Sequence, residues 1–236
     1  MENPIQKLSE RWAMGDPFKK PVKIHPVSEE YKNKVLQDAE PIKADWNKGL
    51  EVFKKLALAQ KEDYVIDQEN KEAIISSLKH FASDSEQGLI LMGNFGSGKT
   101  TLLDLCSQWV KRFNNLKRKG FRMVSSHDVV SDYEGKGNEG IEKYFVGHWA
   151  FDDLGTEEVA KYYGKTEDVM KRVLEKRYIL LSSNGLMTHL TTNHSLKELS
   201  ERYGARMESR FNEMFTKIIL GAKANSRDFR KITSNK

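Results

Sequence analysis

Apolar positions along this chain change their spacing several times, and each change marks an element. Trp46, Leu50, Phe53 and Ala57 recur at i, i+4, i+7 and i+11, which predicts an amphipathic helix. Ile74, Ile75, Leu78 and Phe81 predict a second, from about Gln68 to Phe81, with Asp67 as its N-cap. Leu89-Ile90-Leu91-Met92 breaks the period: consecutive apolar residues without a polar face are the pattern of a strand buried on both sides. Helical spacing returns from Thr100 to Phe113 in Leu102, Cys106, Trp109, Val110 and Phe113. Phe121 to Ser125, Trp149-Ala150-Phe151, Thr188 to Thr192 and Phe215 to Leu220 predict further strands. Helices are expected over Asp128–Tyr133, after a Thr166 cap with Val169, Met170, Val173, Leu174 and Arg177 on it, and over Ser195–Tyr203. Ser83 to Gly88 and Ser182 to Gly185 read as turns, and Gly135 to Gly140 as a flexible loop. Strands alternating with helices predict an α/β fold around a parallel sheet, and no internal repeat is present.

The first 44 residues follow another pattern. They hold all five prolines of the chain, Pro4, Pro17, Pro21, Pro26 and Pro41, mixed with Lys and Glu. This predicts a partly extended arm with short helices, such as Ser28 to Glu40. Two readings stand: a solvated tail, or a partner-docking arm anchored by Trp12, Phe18, Ile24 and Tyr31.

The chemistry gathers where the first strand meets the helix after it. Gly93-Asn94-Phe95-Gly96-Ser97-Gly98-Lys99-Thr100 has P-loop spacing: Gly, any four residues, then Gly-Lys-Thr. A loop between a strand end and a helix start turns free N–H groups and the positive helix end toward phosphate. Gly96 and Gly98 let the backbone wrap closely. Lys99 would meet the β- and γ-phosphates of ATP, the Thr100 hydroxyl would bind Mg²⁺, and Thr101 closes the candidate nucleotide-binding stretch.

About 54 residues further on, Trp149-Ala150-Phe151 ends in Asp152-Asp153. At the C-terminal edge of an open α/β sheet these carboxylates would face the phosphates. Asp152 would hold Mg²⁺ through its water shell, and Asp153 would orient or activate the attacking water. Asn193 ends the Thr-rich strand: its amide would bond the attacking water or γ-phosphate, or it is a turn or cap residue. Arg202, Arg206 and Arg210 recur every four residues, on one face if the helix continues through Gly204. That stripe is either a solvated basic face or the source of an arginine for a neighbouring subunit's ATP. Lys111, Arg112, Lys117, Arg118 and Lys119 suit a helix C-terminus or a nucleic-acid contact. His189 has no second ligand at metal spacing and reads as packed or exposed.

Composition narrows the classes. The chain has 236 residues, 38% hydrophobic and 31% charged, with a formal net charge of +5, so it can build a core under a solvated surface. Residues 1–80 carry 14 basic and 14 acidic side chains, placing the excess in the nucleotide-binding part. A single cysteine, Cys106, excludes an internal disulfide and a cysteine-cluster zinc site, and its apolar neighbours predict a buried thiol. No apolar run reaches the roughly 18 residues of a membrane span, and the N-terminus leads into no apolar signal segment. A soluble cytoplasmic protein without membrane contact is expected.

Taken in order, Gly93–Thr100, Phe151-Asp152-Asp153-Leu154-Gly155, Leu190-Thr191-Thr192-Asn193 and Arg202–Arg210 resemble the AAA+ ATPases of the DnaC/DnaI helicase-loader group. Glu175-Lys176-Arg177-Tyr178 is similar to that group's helix before the sensor strand, and the likeness covers roughly residues 68–232. It implies a P-loop NTPase (AAA+) fold, a three-layer αβα arrangement on a parallel sheet with a small, mostly helical N-terminal region and no full C-terminal lid. It divides the chain into residues 1–66, arm and helix for docking, and residues 67–236, the ATPase. By position, Asn193 would be sensor 1, Arg210 the arginine finger with Arg206 beside it, and Arg230 a further nucleotide-proximal arginine. ATP-dependent self-association, single-stranded DNA contact and docking on a replicative hexameric helicase are implied as well.

The chain departs from the group at two points. Asp153 stands where many AAA+ members carry Glu, and the arm has no cysteine cluster. The absence of a full lid and of a helix-turn-helix argues against DnaA-type initiators. The nearest rival is an IstB-like ATPase of a DNA transposition system, whose partner would be a transposase. A small-molecule P-loop kinase fits the Thr-Thr-Asn strand end and the arginine stripe less well, and an ATP-binding switch without turnover is the non-enzymatic alternative.

Overall fold

Leu89, Ile90 and Leu91 are fully buried, as the unbroken apolar run requires, because helices cover their strand on both faces. The computed structural model describes residues 46–61, 64–113, 116 and 119–221. The chain enters through helices α1 (Trp46–Gln60) and α2 (Lys71–Ala82), then strand β1 (Gly88–Gly93) and helix α3 (Lys99–Val110). Strand β2 (Arg122–Ser125), helices α4 (Ser126–Lys136) and α5 (Asn138–Glu142), a 3-10 turn (Lys143–Phe145) and strand β3 (Trp149–Asp152) follow. A hairpin, β4 (Ala160–Tyr162) and β5 (Lys165–Glu167), precedes helix α6 (Val169–Asn184) and strand β6 (Thr188–Thr192). Helices α7 (Leu196–Tyr203) and α8 (Ala205–Met214) lead into strand β7 (Phe215–Leu220).

β2, β3, β6, β1 and β7 form, in that order, a five-stranded sheet whose neighbours are all parallel. Side chains alternate across it. Leu89 and Leu91 join one core with Phe53 and Leu56 of α1, Leu78 and Phe81 of α2, and the apolar face of α3. Ile90 joins the other, with Phe151, Leu190 and the inward faces of α4 and of α6 to α8. Trp109 Nε1 donates to Gly49 O at 2.7 Å, locking α1 onto α3. Strand order reverses at β1, between β6 and β7, and the crevice at the strands' C-terminal ends there is where an open α/β sheet takes a ligand.

Several local expectations change. Asp67 does not cap α2; its Oδ1 accepts from the N–H groups of Glu69 and Asn70, and this turn delays the helix to Lys71. Ser125 Oγ accepts from Asp128 N–H, so α4 starts two residues early. The expected loop over Gly135 to Gly140 is helix and turn. Gly137, at φ 60, reverses the chain, and a Cβ on Gly140 would lie 2.0 Å from Asp132 O, so α5 packs backbone against backbone on α4.

Thr166 lies in β5, and the cap of α6 is Asp168, whose Oδ1 accepts from Lys171 N–H at 3.0 Å. The hairpin before it was not anticipated; Tyr163 and Gly164 form its tip at φ 44 and 78, with Tyr163 exposed. Gly204, at φ 98 and ψ 148, separates α7 from α8, so Arg202, Arg206 and Arg210 do not share one helix. The arm with its candidate anchors, Lys117, Arg118 and Arg230 lie outside the described residues.

Candidate nucleotide site

The P-loop closes around its own lysine. Gly96 and Gly98 sit at φ 72 and 88, and Gly98 is the N-cap of α3 without a side chain to satisfy the helix's first N–H groups. Lys99 is 4% exposed. Its Nζ donates to Gly93 O at 3.0 Å, Asn94 O at 2.8 Å and Asn193 Oδ1 at 2.7 Å. An ammonium can only donate, so the oxygen of the Asn193 amide faces Lys99 and its NH₂ group is the end left for another acceptor. Phe95, between the glycines, points into solvent.

Opposite, Thr100 Oγ1 donates to Asp152 Oδ1 at 2.9 Å, and the Thr191 hydroxyl donates to the same oxygen. Burial raises the Asp152 carboxyl above its ordinary value; the Thr191 and Thr100 hydroxyls oppose that, Asp153 adds to it, and Lys99 opposes it. Thr191 Oγ1 also accepts from Asp153 N–H at 2.9 Å. Asp153 holds a left-handed backbone at φ 54, uncommon for a residue with a side chain. Leu154 N–H donates to Thr191 O, and Thr192 Oγ1 to Leu154 O, stitching the turn after β3 to β6. Gly155, at φ 97, permits the close approach of His194, whose Cδ2 would lie 2.5 Å from an added Cβ.

Thus direct hydrogen bonds join the P-loop to Asp152 and to Asn193, with Asp153 next in the chain. The arginines do not join them. Arg202 pairs with buried Glu157 at 2.9 Å, and Tyr203 donates to the same carboxylate. Arg210, 14% exposed at its side chain, donates to Glu175 Oε1 at 3.1 Å and lies over the Tyr178 ring at 5.1 Å. Arg206 is exposed. Cys106 is buried as expected, and burial raises its thiol; His189 is buried against Phe81 and Phe121 and accepts from Leu89 N–H.

One part of the site was not read from the sequence. A cleft beside the P-loop lies between Tyr64, Val65 and Asn70 on one side and Ser97, Gly98 and Thr101 on the other. Asn70 shapes its wall by donating to Val65 O at 2.8 Å. Tyr64-Val65 carries no period or motif; the Asp67-to-Asn70 turn was the only local signal. No cluster of three or more His, Cys, Asp or Glu exists among the described residues, so a cation here would need hydroxyl, phosphate or water oxygens beside Asp152. No helix among them is long and apolar enough to cross a membrane.

No protein-family model matches the chain, and no curated protein does. Among solved structures it is similar to a protein of Streptococcus pyogenes serotype M3 assigned as a primosome component. That match has TM-score 0.53 at 18% identity, over 83% of this chain and 99% of the other. It is also similar to the DnaC helicase loader, with TM-score 0.52 at 18% identity, over 82% of this chain and 99% of the other. Likeness at that identity carries architecture, and together with the sheet order and the loop geometry it gives this chain a P-loop αβα fold on a parallel sheet, like that of these two proteins.

Proposed function

We propose that this chain is an ATP-dependent DNA replication factor. In this reading it loads a replicative hexameric helicase, binds and hydrolyses ATP between copies of itself, and contacts single-stranded DNA. The observation that supports it most is the pair of bonds Lys99–Asn193 and Thr100–Asp152. They gather the P-loop, the Asp152 carboxylate and the Asn193 amide at one point of a fold like that of the DnaC helicase loader.

Each side chain then has a task. The backbone of Gly93 to Thr101 cradles the phosphate chain of ATP, and the cleft at Tyr64 and Val65 takes the base. Lys99 exchanges main-chain oxygens for phosphate oxygens. Thr100 and Asp152 fit a hard cation, and Mg²⁺ there supplies charge neutralisation on the phosphates. Asp153 orients the attacking water and accepts its proton. Asn193, its oxygen turned to Lys99, donates from its NH₂ group to phosphoryl oxygen. Arg210, on leaving Glu175, is the finger offered to a neighbour's ATP; such a residue supplies about 10³–10⁵ in rate, so dilute chains turn over slowly. Residues 1–66 carry the docking region, whose end, Tyr64 and Val65, also walls the nucleotide cleft, and residues 67–236 carry the rest of the ATPase.

The test is co-purification with ATP and Mg²⁺ from the native host, using the full chain and one lacking residues 1–44. Recovery of the replicative helicase by the full chain alone is expected. Recovery of a transposase, or of no helicase with either chain, overturns the loader reading.

A further inference from the structure

Asp153 is held in its left-handed backbone from both sides. Its N–H donates to Thr191 Oγ1 at 2.9 Å, and its carbonyl accepts from Thr156 Oγ1 at 2.7 Å and from Thr156 N–H at 3.4 Å. A strained backbone of this kind persists only where its surroundings over-determine it. Thr191 belongs to β6, a central strand, and is buried. Thr156 lies in the turn after β3 and has its own support: His127 Nε2 is 3.1 Å from its hydroxyl oxygen. The single hydroxyl proton of Thr156 is committed to Asp153 O. The contact therefore requires His127 to donate from Nε2.

We infer that His127 is a positioning residue for Asp153, acting through Thr156. The inference rests on the reading of Asp153 as the group that orients the attacking water. His127 stands in the first turn of α4, directly after β2, and Ser125 of β2 is in register with Asp152 of β3. The β2–α4 junction thus reaches the carboxylate by two routes, the strand ladder and the His127–Thr156 chain. His127 is exposed, so its fold contribution is small, while the geometry it sets belongs to a group that must be placed to within a fraction of an ångström.

The experiment measures steady-state ATPase of the full chain, with and without single-stranded DNA, for His127→Ala, His127→Gln, Thr156→Val and His127→Ala/Thr156→Val. His127→Ala should lower kcat about tenfold, with KM within about twofold of the parent and the melting temperature unchanged. Gln places an amide N–H where Nε2 stood and should restore most of kcat. The double variant should be no slower than Thr156→Val, because the two residues act in series. An unchanged kcat in His127→Ala, a change confined to KM, or additive losses would overturn the inference and leave the ATPase reading intact. A parent chain that binds ATP but never turns it over would sink both.

Discussion

Arg177→Met replaces a guanidinium that has no solvent exposure and, among the described residues, no carboxylate partner. Arg177 spends its donors on uncharged oxygens. Nε donates to Thr188 Oγ1 at 2.5 Å, Nη1 to Tyr144 O at 2.5 Å, and Nη2 to Gly147 O at 3.0 Å and Met187 O at 2.7 Å. It clips α6 to the segment entering β3 and to the start of β6. Burial lowers its pKa from the ordinary guanidinium value to about 10, so holding the charge costs about 3 kcal/mol, which the variant recovers. Against that stand four charge-assisted bonds at roughly 1.5–3 kcal/mol each; Met187 O keeps Trp149 N–H, while Tyr144 O and Gly147 O lose the guanidinium. The lost bonds win, and the net loss is about 3–9 kcal/mol. Even its low end is a large share of a typical domain's 5–15 kcal/mol. Urea unfolding followed by circular dichroism measures it, with soluble yield as a second readout, and Arg177→Lys should recover part of the loss. A Met variant within about 1 kcal/mol of the parent would refute the account of α6 and β6 as joined by this side chain.

Two further outcomes follow from the same kind of accounting. Asp152 has its carboxyl raised, chiefly by burial, so its charged form costs stability as pH rises through the folded value, and that cost is absent below the unfolded one. Asp152→Asn keeps an oxygen for Thr100 and Thr191, so it should melt no lower than the parent near neutrality while losing the Mg²⁺-dependent thermal shift with ATP; a lower melting point with the shift retained refutes this. His80, its ring nitrogen on Gln87 O, is pushed from 6.5 down to about 4 chiefly by burial, with Lys119 acting in the same direction. The unfolded chain binds the proton first, so stability is present above pH 6.5 and falls by about 3 kcal/mol as pH drops to 4. His80→Gln should flatten that decline in urea midpoints between pH 7.5 and 4.5, and an equally steep decline in the variant counts against the assignment.

What could be read in the sequence was set by range. The strands over Leu89–Met92 and Phe215–Leu220 are unbroken or alternating apolar runs, and the P-loop is a local spacing, so each is specified within a few residues. Lys99 and Asn193 could be named as candidates by residue type, yet 94 positions separate them and only the β1–β6 ladder makes them touch. Arg177 was legible only as one more residue on a helix. Its partners, at Tyr144, Gly147, Met187 and Thr188, come from three different segments, and no periodicity announces a cation among carbonyls. The β4–β5 hairpin failed for a different reason. Strands of three residues with Lys and Glu in them carry no alternation, and the turn Tyr163-Gly164 lacks the usual Asn or Asp. Thr166 and Asp168 are both capping residue types; the side chain that accepted from the helix's first turn decided between them.

β6 is the element on which these separate features converge. Its first residue, Thr188, is held by Arg177; the Thr191 hydroxyl donates to the Asp152 carboxylate and accepts from Asp153 N–H; Asn193, just past its end, meets Lys99. The next residues, Ser195 and Glu198, close a capping box that starts α7, and Gly204 then turns the chain into α8 with Arg210. Under the proposed function, a phosphate that draws Lys99 from its main-chain oxygens acts on the strand from which the arginine-bearing helices depart. Arg210 meanwhile is retained by Glu175 on α6, the helix that Arg177 fastens to the same strand. The loaded site and the residue offered to a neighbour therefore share a single support, and the ion pair with Glu175 must yield before Arg210 can serve another chain.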